Sequence, residues 1–353
     1  MLHNKSNVSG LTNSPLFRLK DNGKIQCLCC QHKCIIKSGK LGKCRVRGNI
    51  DGKPYFPTWG QYTVSIDPIE KKPLYHFLPG TNVYSYGTVG CNFSCQFCQN
   101  SFLSMWKSDT TDISSLKAKD GRLLNRYTPE DIVNEAAESG CYSVASTYNE
   151  PTITSEFSYE VFKLAKKRGL HTIYITNGFE SIETLNFLNA YLDAVNIDLK
   201  SFNEKFYEKV LGGTLKGVCE TIKRCHSNGI HTEVTTLLIP NENDSNEEIS
   251  EVANFLSQLD KKMVWHVSAY FDSYKFVGKG KTPIKTLERA VDIGHKAGLE
   301  YVYMGNVNTE SGMNTICPNC GRTLISRRFY DVDLNGLKKG QCVCGEVIPG
   351  LFM

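Results

Sequence analysis

From Val83 onward the chain alternates between two patterns of apolar residues. Short runs rich in Val, Ile, Tyr and Thr, closed by Gly, Asn or Asp, read as buried strands; longer stretches with apolar positions at helical spacing read as amphipathic helices. The strands predicted this way are Tyr84 to Val89, Tyr142 to Tyr148, Thr172 to Thr176, Ala194 to Leu199, His231 to Ile239, Val264 to Tyr270 and Tyr301 to Met304. The pattern predicts helices over Tyr159 to Arg168, Ser181 to Leu192, Lys216 to Ser227, Asn246 to Leu259 and Pro283 to Lys296. A further helix opens at Thr128-Pro129-Glu130-Asp131, with Thr128 as cap and Pro129 at the first helical position. Strands alternating with helices mean parallel βαβ units with right-handed crossovers, an α/β pattern that a doubly wound open sheet or a full or partial barrel would satisfy.

The flanks break this rhythm. Residues 1–24 are polar and read as a flexible arm. Residues 25–82 form a Cys-rich module, with a turn at Asp51-Gly52, a strand-like run from Tyr62 to Ile66 and a dense polar knot from Asp67 to Pro73 followed by His76. The alternating part is assigned to 83–311 and the tail to 312–353.

Composition narrows the class. The 353 residues allow one large α/β domain with appendages. The 41 basic and 36 acidic residues, net +5, are spread along the chain, so no electrostatic footprint for nucleic acid stands out. No run approaches a membrane span, and the first thirty residues contain no secretory apolar core. Fifteen cysteines grouped in pairs and triplets then read as metal ligands in a reducing compartment, and a cytoplasmic metalloprotein is expected.

One stretch carries the chemistry: Cys91-Asn92-Phe93-Ser94-Cys95-Gln96-Phe97-Cys98, after the first strand. Three thiolates can hold three irons of a cubane cluster, and without a fourth local cysteine one iron stays open. The spacing Cys-x3-Cys-x2-Cys with an aromatic before the last cysteine resembles the signature of the radical SAM superfamily. In that superfamily the open iron of a [4Fe-4S] cluster binds S-adenosylmethionine. Upstream, Cys27, Cys30, Cys34 and Cys44 are the best four-ligand choice for a second metal, zinc or another iron–sulfur cluster, with Cys29 and His32 to spare. In the tail, Cys317-x2-Cys320 and Cys342-x-Cys344 read as a zinc ribbon whose second knuckle is one residue tight. Cys141, Cys219 and Cys225 read as core residues.

The carboxyl ends of parallel strands converge on one active face. Asn149 and Glu150 follow the second strand, Thr176 and Asn177 the third, Asp198 and Lys200 the fourth; Thr235 lies on the fifth and His266 on the sixth. Singly each has a structural explanation, but together they supply a carboxylate, a cation and hydroxyls. A sulfonium zwitterion carrying a ribose and an adenine needs such partners.

From about Cys27 to its end the chain resembles the radical SAM component of the AmmeMemoRadiSam system, related to the pyruvate formate-lyase-activating enzymes. The resemblance rests on DPIEKKPLYHFLPG, YGTVGCNFSCQFCQN, TYNEPTI, TNGF, NIDLKSF, EVTTLLIP and YVYMGNVNTESG. It implies a partial (β/α)6 barrel, Cys91, Cys95 and Cys98 on the cluster, Asn149-Glu150 at the methionyl ammonium, Asp198 and Lys200 near the cosubstrate carboxylate, and His266 beside the adenine. It also implies a 5′-deoxyadenosyl radical that takes hydrogen from an unidentified substrate, a flavodoxin or ferredoxin as electron donor, and Memo-type and AMMECR-type partners. Relatives commonly carry an Arg and a His-Pro pair after the sixth strand, where this chain has His266-Val267-Ser268-Ala269-Tyr270-Phe271-Asp272. Two other readings compete: an activating enzyme that generates a glycyl radical in a partner, and a non-catalytic electron-transfer or metal-sensing protein.

Overall fold

Seven strands lie side by side in the order in which the chain makes them: β1 (Asn82–Gly87), β2 (Ser143–Ser146), β3 (His171–Thr176), β4 (Ala194–Asp198), β5 (His231–Leu238), β6 (Val264–Ala269) and β7 (Tyr301–Gly305). Each pairs in parallel with the next. The computed structural model describes residues 14–106, 124–307, 309, 312–328 and 330–353. The crossovers carry helices α1 (Pro129–Glu138), α2 (Ser155–Lys167), α3 (Ile182–Leu188), α4 (Leu215–Ser227), α5 (Asn246–Leu259) and α6 (Ile284–Lys296). With strand order sequential and parallel crossovers right-handed as a rule, the helices cover one face of the sheet and the other face is left to curl inward. The sheet does not close. Gln61–Pro68 runs antiparallel along β1 and the two-residue strand Asn125–Arg126 runs beyond it, so that pair forms one edge and β7 the other.

Alternation along the strands sorts the core. Val144, Tyr174, Val195, Ile197, Val234 and Val267 share one cluster with Val133, Phe162, Leu185, Ile222 and Val252 from the helices; Cys141 and Cys225 lie in it and Cys219 packs against it. On the other face Val83, Ala145, Ile173 and Ala194 pack against Ile69, Leu74, Phe77 and Leu78. The stretch from Ile69 to Leu78 therefore fills the concave side near the strand beginnings, and the expected module boundary at residue 82 does not separate it from the sheet.

Local signals account for most of the element boundaries. Asp131 N–H donates to the Thr128 hydroxyl over 3.1 Å and Asp131 Oδ2 accepts from Thr128 N–H over 2.7 Å, a reciprocal cap that starts α1 where the sequence predicts. By contrast α2 begins at Ser155, earlier than the predicted Tyr159. Its first turn buries Ser155, Glu156 and Ser158, polar residues that hide the amphipathic pattern and find buried partners in Thr152, Arg47 and Tyr86.

Of the arm expected over 1–24, residues 1–13 lie outside the described ones. The remainder is ordered: Phe17–Leu19 pairs with Ile25–Cys27, and the Ser14 hydroxyl donates to Glu156. The tail forms a small antiparallel sheet of Thr315–Ile316, Thr323–Arg328 and Asp331–Asp333. Its Cys317, Leu324, Ile325 and Ile348 pack on Tyr75, Val264, Tyr301 and Tyr303. Among the described residues no helix is long and apolar enough to cross a membrane.

Candidate active site

Beyond Gly87 the chain turns at Gly90, whose φ of +85° lies in the left-handed region and where an added Cβ would stand 2.5 Å from the carbonyl oxygen of Cys44. Glycine is required on both counts. The loop that follows buries Cys91 and Cys95 and leaves Cys98 half-buried. Its aromatics anchor it. Phe93 packs on Phe179 and Tyr207 with ring centroids 5.2 and 6.3 Å away, and Phe97 on Phe206 and Phe276 at 6.2 and 5.8 Å.

The ends of β2, β3 and β4 converge on this loop. Just past β3, Asn177 donates from Nδ2 to Asn92 Oδ1 over 2.7 Å. Glu150, past β2, is buried, and its carboxylate accepts from Thr152 N–H at 3.0 Å, the Thr176 hydroxyl at 2.9 Å and Asn177 N–H at 2.8 Å. Glu180 contacts the same Thr176 hydroxyl. One hydroxyl proton cannot serve two carboxylates, and their closeness disfavours both being ionised. Burial, and then repulsion from Glu180, pushes Glu150 up; burial pushes Glu180 up as well.

At the end of β4, Lys200 Nζ stands 2.7 Å from Asp198 Oδ2 and 6.0 Å from the centroid of the Phe97 ring. Burial opposes the charge on Lys200, but Asp198 and the Cys95 and Cys98 sulfurs hold it above the usual lysine value. Burial pushes the Cys95 thiol up to about 12, with Lys200 pulling the other way. The site thus pairs a carboxylate cluster near Cys91 with a cation near Cys95.

Asn149 reaches the same face, but its amide clamps loop backbone, accepting from Thr88 N–H at 3.1 Å and donating to the Gly90 carbonyl at 2.9 Å. Two expected residues lie elsewhere. His266 Nε2 is 2.6 Å from Glu233 Oε2, and the Thr235 hydroxyl donates to Asn196 Oδ1 over 2.9 Å. Glu233 also accepts from Tyr75 N–H, His76 N–H and His231, and Asn196 donates to the Pro73 carbonyl. Thr235 and His266 each sit three residues before the end of their strand, so they meet the filling segment rather than the cysteine loop.

Besides Glu180, sequence reasoning missed the segment after β6. Lys275 and Phe276 donate their N–H groups to the Gln96 carbonyl at 2.9 and 3.2 Å, and the Ser273 hydroxyl donates to the Cys98 carbonyl at 3.2 Å. Asp272 holds that segment by accepting from Gly278 and Gly280 N–H. The departure noted at Ala269 to Asp272 therefore lies where the chain begins to brace the cysteine loop; an Asp followed by glycines was the available signal.

The cysteine groups differ in spacing. Cys317, Cys320, Cys342 and Cys344 are, among the described residues, the one group of metal-binding side chains whose ligand atoms all lie within 4.8 Å of one another. Sulfur pairs there are 3.6 Å apart, close to the ~3.8 Å that four thiolates at 2.3 Å around one tetrahedral ion would have. Cys91, Cys95 and Cys98 are not so closely set, and three separate irons would call for such wider spacing. Beside them Nδ2 of Asn92 and Oγ1 of Thr88 are buried without a partner. This donor set fits a [4Fe-4S] cluster with its cosubstrate. Cys27, Cys29, Cys30, Cys34 and Cys44 line a cavity with His32, Lys43 and Arg47.

Residues 85–256, from within β1 into α5, match the model of the radical SAM superfamily. The uncharacterized protein MJ0808 of Methanocaldococcus jannaschii is 39% identical over 333 residues, covering 93% of this chain and 96% of that protein. A putative glycyl-radical enzyme activating enzyme of the same organism, MJ1632, is 28% identical over 225 residues, 63% of this chain and 78% of that protein. The solved domain of a pyruvate-formate lyase-activating enzyme from Bacteroides vulgatus aligns with TM-score 0.41 and 20% identity, covering 46% of this chain and 99% of that one. A matched region that opens on β1, carries the three-cysteine loop and takes in the ends of β2 to β4 identifies this chain as a member of the radical SAM superfamily, and as an enzyme.

Proposed function

We propose that Cys91, Cys95 and Cys98 hold a [4Fe-4S] cluster and that S-adenosylmethionine lies between it and the ends of β2, β3 and β4. When bound, the reduced cluster and its cosubstrate supply a 5′-deoxyadenosyl radical that removes hydrogen from a substrate. Glu150, positioned by Thr176 and Asn177, faces the cosubstrate ammonium; Lys200, held by Asp198, faces its carboxylate. Asn149 keeps the loop in shape, and Phe93 and Phe97 exclude water from the sulfurs. The observation that carries this reading is the direct tie between Asn177 and Asn92, which joins a strand end to the cysteine loop. The test is anaerobic reconstitution followed by dithionite. Wild type should release 5′-deoxyadenosine and Cys95→Ala should not; release by Cys95→Ala would overturn the assignment.

A second activity is favoured by the names of relatives: MJ1632 is a putative glycyl-radical enzyme activating enzyme. On this reading the hydrogen comes from a glycine of a partner protein, and the product is a glycyl radical visible by electron paramagnetic resonance. Memo-type and AMMECR-type partners, a flavodoxin or ferredoxin donor, a cytoplasmic location, zinc on the four tail cysteines and a second metal on the N-terminal cysteines complete the proposal. Radical SAM enzymes require a low-potential reductant; copurification would identify which one serves here.

A further inference from the structure

The five N-terminal cysteines line one cavity together with His32, Lys43 and Arg47. Four thiolates about 2.3 Å from one zinc would stand ~3.8 Å from one another. No three of the metal-binding side chains here bring their ligand atoms within 4.8 Å of one another, whereas the tail cysteines do. The group is thus more widely set than the tail cysteines.

The ligand set resolves itself by hydrogen bonding. The Cys29 sulfur is already engaged by the turn that follows β2, with the Thr152 carbonyl at 2.6 Å and Ser155 Oγ at 3.7 Å. His32 Nε2 is tied to the Asn92 carbonyl at 2.9 Å. Four cysteines are left, Cys27, Cys30, Cys34 and Cys44. Two cations line the same cavity, Lys43 and Arg47. Arg47 is buried, donates from Nε to Cys27 Sγ over 3.2 Å, and is locked by Glu156 and by the rings of Phe17 and Phe56. A donor of that kind suits an anionic sulfur cluster.

We propose that Cys27, Cys30, Cys34 and Cys44 hold a second [4Fe-4S] cluster, closed by four thiolates, with Arg47 donating to its Cys27 sulfur. With no open iron, its chemistry is one-electron transfer rather than substrate binding. Its place supports that use: Cys44 abuts Gly90, and His32 bonds the backbone of Asn92 between Cys91 and Phe93. The inference rests on reading these cysteines as a metal site.

The test separates the two centres. In Cys91→Ala/Cys95→Ala/Cys98→Ala, which leaves the N-terminal group untouched, anaerobic reconstitution should still bind about four irons and four sulfides per chain and give a cluster signal on reduction. Adding Cys34→Ala should abolish that iron, whereas adding Cys29→Ala should keep it. Two zincs and no iron in the triple variant, one of them lost on adding Cys34→Ala, would overturn the cluster but keep a metal site; no metal beyond the single zinc of the tail would overturn both. Loss of iron on Cys29→Ala, with the far-ultraviolet spectrum unchanged, would overturn the ligand assignment.

Discussion

The side-chain amide of Asn177 donates to Oδ1 of Asn92 over 2.7 Å, tying the end of β3 to the residue that follows Cys91. The same asparagine accepts from Phe179 N–H through Oδ1, so both ends of its amide are occupied. Asn177→Ala leaves buried groups unpaired and should destabilise the chain by about 1–3 kcal/mol. Urea denaturation checks this; an unchanged midpoint would mean that the loop holds itself.

Lys200 should govern cosubstrate affinity. Replacing it by Met removes a cation and leaves Asp198 unpaired. Binding of S-adenosylmethionine to the reconstituted protein should weaken about 10- to 100-fold, the range expected for a charged hydrogen bond. Isothermal calorimetry measures it, and Lys200→Arg should recover part of the loss. Equal affinity in the Met variant would assign Lys200 to packing alone.

Glu150 makes stability depend on pH. Its folded pKa is raised by burial and by Glu180, so its stabilising contribution is complete below the unfolded value near 4.5 and is lost as pH rises through the folded value. Glu150→Gln cannot ionise. Without cosubstrate, the melting temperature of the Gln variant relative to wild type should therefore climb from about pH 4.5 upward and level off above the folded value. A difference that is flat with pH would show that Glu150 ionises normally in the folded chain.

Glu233 works in the opposite direction. Burial raises its pKa, but hydrogen bonds from His231 and His266 outweigh that and hold it well below 4.5. Its contribution is present above the unfolded value and is lost as pH falls through the folded one. Glu233→Ala removes the acceptor for Tyr75, His76, His231 and His266 and should cost about 4 kcal/mol or more. Unfolding by less than about 1 kcal/mol would show that the segment from Ile69 to Leu78 is held by apolar packing alone.

The tail should unfold locally on chelation. With Cys317 and Cys342 in the apolar cluster that covers Tyr75 and Tyr303, a metal held by the tail would couple its binding to docking. Cys320→Ser should remove about one zinc per chain and expose the tail to proteolysis, with iron content unchanged. Iron loss in parallel with zinc would refute the separation of these centres.

The strand and helix alternation was legible because it is written in local periodicity, and so was the three-cysteine loop, whose cysteines are neighbours in the chain. The reciprocal cap at Thr128 and Asp131 is equally local. That Glu150, Asp198 and Lys200 lie on the face of the cysteine loop was legible because strand ends in a parallel sheet meet on one face whatever the rest of the chain does. Tertiary structure decided what depends on contacts between distant segments. That His266 and Thr235 serve the segment from Ile69 to Leu78 follows from how far that segment enters the concave face, which no local pattern encodes. The early start of α2 depends on Arg47 reaching Glu156 from more than a hundred residues away. The spread of the N-terminal sulfurs and the close set of the tail sulfurs are likewise distances between side chains, and spacing along the sequence does not determine them.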